Sequence, residues 1–207
     1  MKNTRFLIFA LVIGIGTTIL VVPSFEGAVH EIVESPSALF WLALAIAATI
    51  LPVRGLAGVG TLNISPLPLL TMLLLHGTEM ALVGGWIVGL VATVASQTGH
   101  LKADAQRALV NSAKHALCLF FAGLVLWGAS FAPSALSSGL GRGVFLRLLG
   151  AHAVYFAVST TVLSFALWLR DGRSPLEAWR ALFRWGALLS WSTPVGAYLF
   201  ALFFLRG

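Results

Sequence analysis

The sequence is poor in charge, since only 10% of its 207 residues are Asp, Glu, Lys or Arg, against roughly 25% in an ordinary soluble domain. Its single cysteine, Cys118, excludes an intrachain disulfide and a metal site built from several thiolates. No charge block, low-complexity tract or Ser/Gly linker divides the chain. These absences exclude a soluble enzyme and favour one domain over residues 1–207.

Hydrophobic residues make up 58% of the chain, and they form seven apolar runs. A helix over 38–51 or 64–75 would rise only about 21 or 18 Å, which is short for a hydrocarbon core of about 30 Å. The sequence predicts an all-α, polytopic transmembrane helical bundle with six to seven membrane segments, two of them short. The runs are 6–22, 38–51, 64–75, 80–96, 108–131, 144–169 and 181–205.

The first run, 6–22, has a second interpretation. Lys2 and Arg5 precede it, which is also the layout of a secretory signal peptide, and Val22-Pro23-Ser24 is a poor small-residue cleavage site. A retained first helix is the favoured interpretation, and a signal-like added segment is the alternative.

The net charge of +6 indicates orientation rather than nucleic-acid binding, because cytoplasmic loops of membrane proteins collect Lys and Arg. With a cytoplasmic amino terminus, ten of the thirteen basic residues fall on the cytoplasmic side. We therefore expect a multi-pass protein of the bacterial inner membrane, in contact with the lipid bilayer and with its amino terminus inside. The ten are Lys2, Arg5, Arg54, Lys102, Arg107, Lys114, Arg170, Arg173, Arg180 and Arg184.

A helix should begin at about Ser174, because Ser174-Pro175-Leu176-Glu177 is a capping box with Pro at the first helical position. Leu176, Trp179 and Phe183 would share one face, which predicts a helix at the headgroup level. A solvated loop with basic anchors is the alternative. The region 170–185 is the expected docking surface for a cytoplasmic signalling or coupling protein.

Few polar residues lie within the apolar runs, and those in the last three could converge on a ligand. A small-molecule site needs apolar walls and a few hydrogen-bonding groups. The alternative is that Ser and Thr bond their own or a neighbouring helix. The candidate ligand-binding residues are Asn111, Tyr155, Ser159, Thr160, Trp191, Ser192 and Thr193.

Other motifs give weaker signals. His30, Glu31, Glu34, His76 and Glu79 are ligand types that a divalent metal accepts, but nothing in the sequence makes their two loops meet. The chain has no HExxH and no GxSxG, and its glycine-rich run 55–60 lacks the order of a phosphate loop. We expect no catalytic, metal or cofactor site. Gly85 and Gly89 form a GxxxG pair, which favours close helix packing.

Three stretches carry a resemblance to a known family: 52–89, RALVNSAKHALCLFFAGLVLWG from Arg107, and VYFAVSTTVLSFALWLRDGRSPLEAW from Val154. A glycine-rich turn precedes a short S-x-x-x-L helix, and Asn111 begins the fifth segment. A "YF" pair precedes a small polar residue, and a G-x-S connection with a later Trp follows, here Gly172, Ser174 and Trp179. Over about 52–200 the chain resembles MASE-type membrane-embedded sensory domains, except that Ser159 stands where the pattern has Asn.

MASE-type domains precede GGDEF or HD-GYP modules in bacterial cyclic-di-GMP signalling proteins, so the resemblance implies a sensory domain with an output module as a following segment or a separate partner. The resemblance and the absence of a catalytic motif together predict non-catalytic binding of a small neutral or amphipathic molecule, in a chain that could also form oligomers. The layout also resembles substrate-binding subunits of energy-coupling-factor vitamin transporters, which is the alternative function. A purely structural membrane protein is a third possibility.

Overall fold

A computed structural model describes residues 2–51, 53–54, 61–62, 64–95, 101–128 and 140–206. The glycine-rich run 55–60 lies outside these residues. A two-residue antiparallel pair, β1 (Val53–Arg54) and β2 (Thr61–Leu62), is the only strand structure in the described part. The helices are α1 (Lys2–Val21), α2 (Ser24–Glu34), α3 (Pro36–Ile50), α4 (Pro66–Ala95), α5 (Leu101–Trp127), α6 (Arg142–Asp171), α7 (Pro175–Ser190) and α8 (Ser192–Arg206).

This architecture confirms the predicted all-α bundle, but fewer helices than expected could cross a membrane alone. By length and composition alone, four helices of the described residues are candidate spans, namely α1, α4, α5 and α6, and α2 with α3 adds a fifth if that pair, bent by 112°, counts as one. The helix α4 reaches that length only when both sides of its break at Gly77 are counted together. The prediction of six to seven was too high because α3 and α8, at 15 residues each, rise only about 22 Å. A multi-pass membrane protein is the class that these helices indicate.

The helix α4 is broken at Gly77, whose φ of 81° and ψ of −175° suit only glycine. A β-carbon placed on Gly84 would lie 3.4 Å from the sulfur of Met72. On an uninterrupted helix those two positions would be about 18 Å apart. The chain therefore folds back at Gly77, and the predicted runs 64–75 and 80–96 become the two arms of a helical hairpin, 66–76 and 78–95.

The first arm of this hairpin forms the centre of the bundle. All seven residues from Pro68 to Leu74 are buried, which is the pattern of a helix surrounded on every side. The last turn of any helix has carbonyl groups without an intrahelical donor, and in an apolar core these need another partner. Trp127 supplies one, since its Nε1–H donates to the carbonyl oxygen of Leu73 at 2.9 Å.

The second arm packs closely on α5 through the predicted glycine pair. A β-carbon on Gly89 would lie 2.6 Å from the carbonyl carbon of Asn111 and would also collide with the backbone of Ser112. At Gly85 it would collide with Leu119 and lie 3.4 Å from the carbonyl oxygen of His115. The expectation of close helix packing at this motif is confirmed.

The amino ends of α1 and α5 and the carboxyl end of α6 meet at one end of the bundle, because Phe6, Arg107 and Arg170 line the same pocket there. This end of the bundle therefore holds basic residues that the charge count assigned to the cytoplasmic side, among them Arg107 and Arg170. Lys114 is different. It lies about 16 Å from the start of the candidate span Ala103–Trp127, whereas Arg107 lies only about 6 Å from it, so Lys114 is deeper along the helix.

The helix α7 follows a turn in which Gly172, at φ 73°, ends α6. The predicted boundary at Ser174 is confirmed, with Pro175 first in the helix, but the Ser174 side chain makes no capping hydrogen bond. Phe183 contacts Phe156 at a ring distance of 5.5 Å, and Phe156 lies about 22 Å before the end of α6. The helix α7 therefore runs back along α6 and does not lie apart at the headgroup level as predicted. The predicted run 181–205 is also divided, since α7 ends before Trp191 and α8 begins after it.

Candidate functional site

Four polar residues of α5 form a stripe that faces α6. Arg107, Asn111, Lys114 and Cys118 follow at intervals of four, three and four residues, so they share one face of the helix. We call these four residues the polar stripe. Its amino end borders a pocket shared with α6, and the Cys118 thiol hydrogen-bonds the Ser159 hydroxyl of α6. The stripe therefore runs from the end of the bundle into its interior.

The amino end of the stripe opens into a cavity of about 90 Å³ between α1, α5 and α6. Two arginines stand at this cavity, and each has an acidic neighbour: Arg107 lies 3.9 Å from Asp104, and Arg170 lies 2.8 Å from Asp171. Apart from the two arginines and Asn111, its lining is apolar. The residues around the cavity are Phe6, Arg107, Val110, Asn111, Leu163, Ala166, Leu167 and Arg170.

Lys114 lies about 10 Å further along α5 than Arg107 and is half-buried. In the described part of the chain, no carboxylate lies within 4.0 Å of its ammonium group, whereas each of the two arginines at the cavity has one. The ammonium group interacts electrostatically with Cys118, one turn on, and with the adjacent His115. A cation inside a membrane span is costly and usually functional.

Buried hydrogen bonds tie the stripe to its surroundings. Tyr155 and His115 are joined at 2.8 Å between the phenol oxygen and Nδ1, and both side chains are buried. Asn111 donates from its amide to the hydroxyl of Thr93 on α4 at 3.2 Å. Two of the predicted ligand residues, Tyr155 and Ser159, thus meet α5, and a third, Asn111, lies on the cavity.

The other predicted ligand residues do not join this group. The Thr160 hydroxyl donates to its own helix, to the carbonyls of Phe156 at 2.9 Å and Ala157 at 3.0 Å, which was the alternative considered for such residues. Trp191 and Ser192 are exposed, and Thr193 is half-buried, at the junction of α7 and α8. The helix α8 packs mainly on α4 and to a lesser extent on α6, so these three lie away from the stripe.

A second polar cluster lies at the opposite end of the bundle, beside the tip of the α4 hairpin. His76 Nδ1 is 2.8 Å from the Glu31 carboxylate, and His76 Nε2 is 3.2 Å from the Ser37 hydroxyl. The two outer loops considered for a metal do meet, but His30 pairs with Glu34 at 3.2 Å on an exposed surface instead. Among the described residues, no group of three or more His, Cys, Asp or Glu could hold a metal ion.

Sequence reasoning did not name Lys114 or Ser37 as a site residue, and it left open whether the loops of Glu31 and His76 meet. Lys114 had a usable signal, because the helical spacing that relates it to Asn111 and Cys118 can be read from the sequence. The outer cluster had none, since 45 residues separate Glu31 from His76.

Comparison with known proteins adds no relative: no family model, curated protein or solved structure matches the chain. The resemblance to MASE-type domains therefore stays a prediction.

Proposed function

We propose that this protein is a membrane-embedded sensory or ligand-binding domain whose site is the groove between the polar stripe and α6. Its ligand is an amphipathic small molecule with an anionic head. The head contacts Lys114 and the arginines of the cavity, and the apolar part lies against the apolar residues of its lining. Binding at this groove involves no catalysis.

The strongest support for the proposal is the Lys114 ammonium group, which lies inside a candidate span. Taking a cation out of water without a partner costs several kcal/mol. No carboxylate of the described residues offsets that cost at Lys114, whereas the acidic neighbours of Arg107 and Arg170 do so at the cavity. An anionic ligand would supply the missing charge, which narrows the sequence-based expectation of a neutral or amphipathic ligand to an amphipathic anion.

The apolar wall explains why the ligand should be amphipathic. The cavity is lined by five apolar residues, Phe6, Val110, Leu163, Ala166 and Leu167. A hydrocarbon chain leaving an anionic head at the arginines would contact these side chains or the adjoining lipid. We place the arginine-rich end in the cytoplasm, in the bacterial inner membrane, because it gathers the basic residues that favour that side.

Binding of laurate, compared with the equally long neutral dodecanol, tests this proposal. With the full chain in lipid nanodiscs and tryptophan fluorescence as readout, laurate should bind at least tenfold more tightly than dodecanol, a difference of about 1.4 kcal/mol. Lys114→Gln should remove most of that preference. Arg142→Gln is the matched control, since it removes one exposed cation at the opposite end of α6 and should leave laurate binding within twofold.

Equal affinity for laurate and dodecanol, or an unchanged preference in Lys114→Gln, would contradict the proposal. Native mass spectrometry of the purified protein provides an independent check, because an acidic lipid or metabolite should be retained in wild type and lost in Lys114→Gln.

A substrate-binding subunit of a vitamin-type transporter is the alternative function, and it uses the same groove. It needs a coupling protein at 170–185, where Arg173 and Arg180 are exposed. Capture of an ATPase by this surface would favour transport, and capture of a cyclic-di-GMP module or histidine kinase would favour sensing.

A further inference from the structure

Three side chains beside the hairpin tip have the connectivity of a nucleophile, a base and an orienting acid. The Ser37 hydroxyl oxygen is 3.2 Å from His76 Nε2, and His76 Nδ1 is 2.8 Å from a Glu31 carboxylate oxygen. Ser37 is near the start of α3, Glu31 is near the end of α2, and His76 ends the first arm of α4. The 112° bend between α2 and α3 brings the serine and the carboxylate to the same imidazole.

The hydrogen-bonding groups themselves assign the proton on the imidazole. A carboxylate only accepts hydrogen bonds, so the hydrogen on neutral His76 lies on Nδ1 and is donated to Glu31. The other ring nitrogen, Nε2, is then an acceptor, and the Ser37 hydroxyl donates to it. This is the arrangement in which a histidine acts as general base toward a serine and an acid holds its tautomer.

The surroundings suit acyl transfer at a membrane surface. The His76 side chain is only 5% exposed, which holds its ring in place, while the Glu31 side chain is 35% exposed and Ser37 is half-buried, so the group is accessible from one side. Ser37 lies in the first turn of α3, where backbone N–H groups have no intrahelical acceptor, so its own N–H is available to an oxyanion. Leu39 and Phe40, both 54% exposed, add apolar surface on the following turn.

We propose that Ser37, His76 and Glu31 form an acyl-transfer centre that hydrolyses carboxylic esters with an apolar acyl chain. The proposal goes beyond ligand binding in the α5–α6 groove and does not depend on it. The two sites lie at opposite ends of the bundle, because Thr78 beside the hairpin tip contacts Gly123 near the carboxyl end of α5, whereas the cavity lies near its amino end.

In the first half of the reaction, Ser37 Oγ attacks the ester carbonyl carbon and His76 Nε2 takes the hydroxyl proton. The bond from carbon to the alcohol oxygen then breaks, and His76 returns the proton to the leaving alcohol. In the second half, His76 Nε2 removes a proton from water as the water oxygen attacks the acyl carbonyl carbon. The bond from that carbon to Ser37 Oγ then breaks to release the carboxylic acid, and His76 returns the proton to Ser37 Oγ. Ester and water are consumed and acid and alcohol are formed, while Glu31 keeps the imidazole in its tautomer throughout.

A dodecyl fluorophosphonate tests the nucleophile directly, since attack by Ser37 forms an oxygen to phosphorus bond and expels fluoride. With the full chain in nanodiscs, mass spectrometry should find the adduct on Ser37, and 4-nitrophenyl butyrate should be hydrolysed. Ser37→Ala should abolish both. His76→Gln should slow labelling at least about 100-fold, the lower end of the range for losing acid–base catalysis. Glu31→Gln should also slow labelling, because the imidazole then loses the carboxylate that holds its tautomer.

The exposed pair on the same α2 helix provides matched controls. His30→Gln and Glu34→Gln make the same chemical changes outside the centre and should leave the labelling rate within twofold. Absence of an adduct on wild-type Ser37, or a His76→Gln rate equal to wild type, overturns the proposal. If the His76 variant does not fold, the wild-type adduct and its loss in Ser37→Ala still decide, because that substitution removes only one oxygen atom. Laurate binding at the groove should be unaffected by Ser37→Ala, which separates failure of this proposal from failure of the proposed function.

Discussion

The two faces of α5 contrast sharply, although they belong to one helix. Toward α4, glycine at positions 85 and 89 leaves no room for a side chain at those two positions, so the two backbones touch there. Toward α6, the helix presents the polar stripe and borders an open cavity at the end of the bundle. One face brings two backbones into contact, and the other face carries the polar groups of the stripe.

This contrast separates stability from function within a single element. Close backbone contact gives dispersion energy to a membrane protein that gains no hydrophobic energy from helix association. A half-buried cation such as Lys114 instead lowers the stability of the fold, because taking its charge out of water costs free energy. Three substitutions should therefore change the free energy of unfolding by amounts that decrease from the α4 face of α5 to its α6 face. They are Gly89→Ala, Tyr155→Phe and Lys114→Met.

The largest effect is expected at the α4 face, for Gly89→Ala. The added β-carbon would collide with the backbone of Ser112, which cannot move aside without shifting α5. We expect a loss of about 2 to 3 kcal/mol in the free energy of unfolding. Denaturation with sodium dodecyl sulfate, followed by tryptophan fluorescence, measures it.

Gly16→Ala on α1 is the matched control, because a β-carbon there meets nothing within 4 Å. Its better helix propensity should raise stability by roughly 0.5 to 1 kcal/mol. If both alanine variants behaved alike, the close contact between α4 and α5 would be refuted.

A smaller effect is expected where α5 meets α6, for Tyr155→Phe. The substitution removes the phenol oxygen that is hydrogen-bonded to buried His115 and leaves the imidazole nitrogen without that partner. We expect a loss of about 1 to 2 kcal/mol by the same denaturation measurement. Thr161→Val on the exposed side of α6 should change the free energy of unfolding by less than about 0.5 kcal/mol. A Tyr155→Phe protein as stable as wild type would show that this hydrogen bond contributes nothing.

The smallest effect, with the opposite sign, is expected for Lys114→Met. Methionine keeps an unbranched chain of similar length and removes the cost of holding a cation inside the bundle, so stability should be unchanged or up to about 1 kcal/mol higher. Laurate binding should fall in the same variant. A loss of stability above about 1 kcal/mol would mean that Lys114 stabilises the fold. That result would contradict the difference in stability described for the two faces of α5.

Much of the fold could be predicted from hydropathy, because each of the seven apolar runs lies mainly on helix. The short runs 38–51 and 64–75 were recognised as unusual for a span. Whether two adjacent runs join end to end or fold back depends on one backbone conformation, at Gly77, and periodicity does not specify it. The break of the last run at Trp191 could not be predicted from hydropathy either, because the segments on both sides of it are apolar.

The candidate site could be predicted only where one helix carries the signal. Tyr155 and Ser159 are one turn apart on α6, and the structure places both against α5. Polarity alone grouped three further residues with Tyr155 and Ser159, namely Trp191, Ser192 and Thr193. Polarity does not indicate which helices become neighbours. Ser174 shows a similar limit, since its sequence motif marked the helix start correctly while the side-chain bond is absent.

The sequence by itself determined the chemical class of this protein: a chain with 10% charged residues and apolar runs of helical length must place helices in an apolar environment. It also predicted close helix packing at the GxxxG pair, because only glycine allows such an approach. The tertiary structure decided which polar groups meet. It brought Asn111 of α5 to Thr93 of α4, and it brought Glu31, Ser37 and His76 together through the α2–α3 bend and the hairpin at Gly77. Hydropathy is a property of segments, whereas a site depends on distances between segments far apart in the chain.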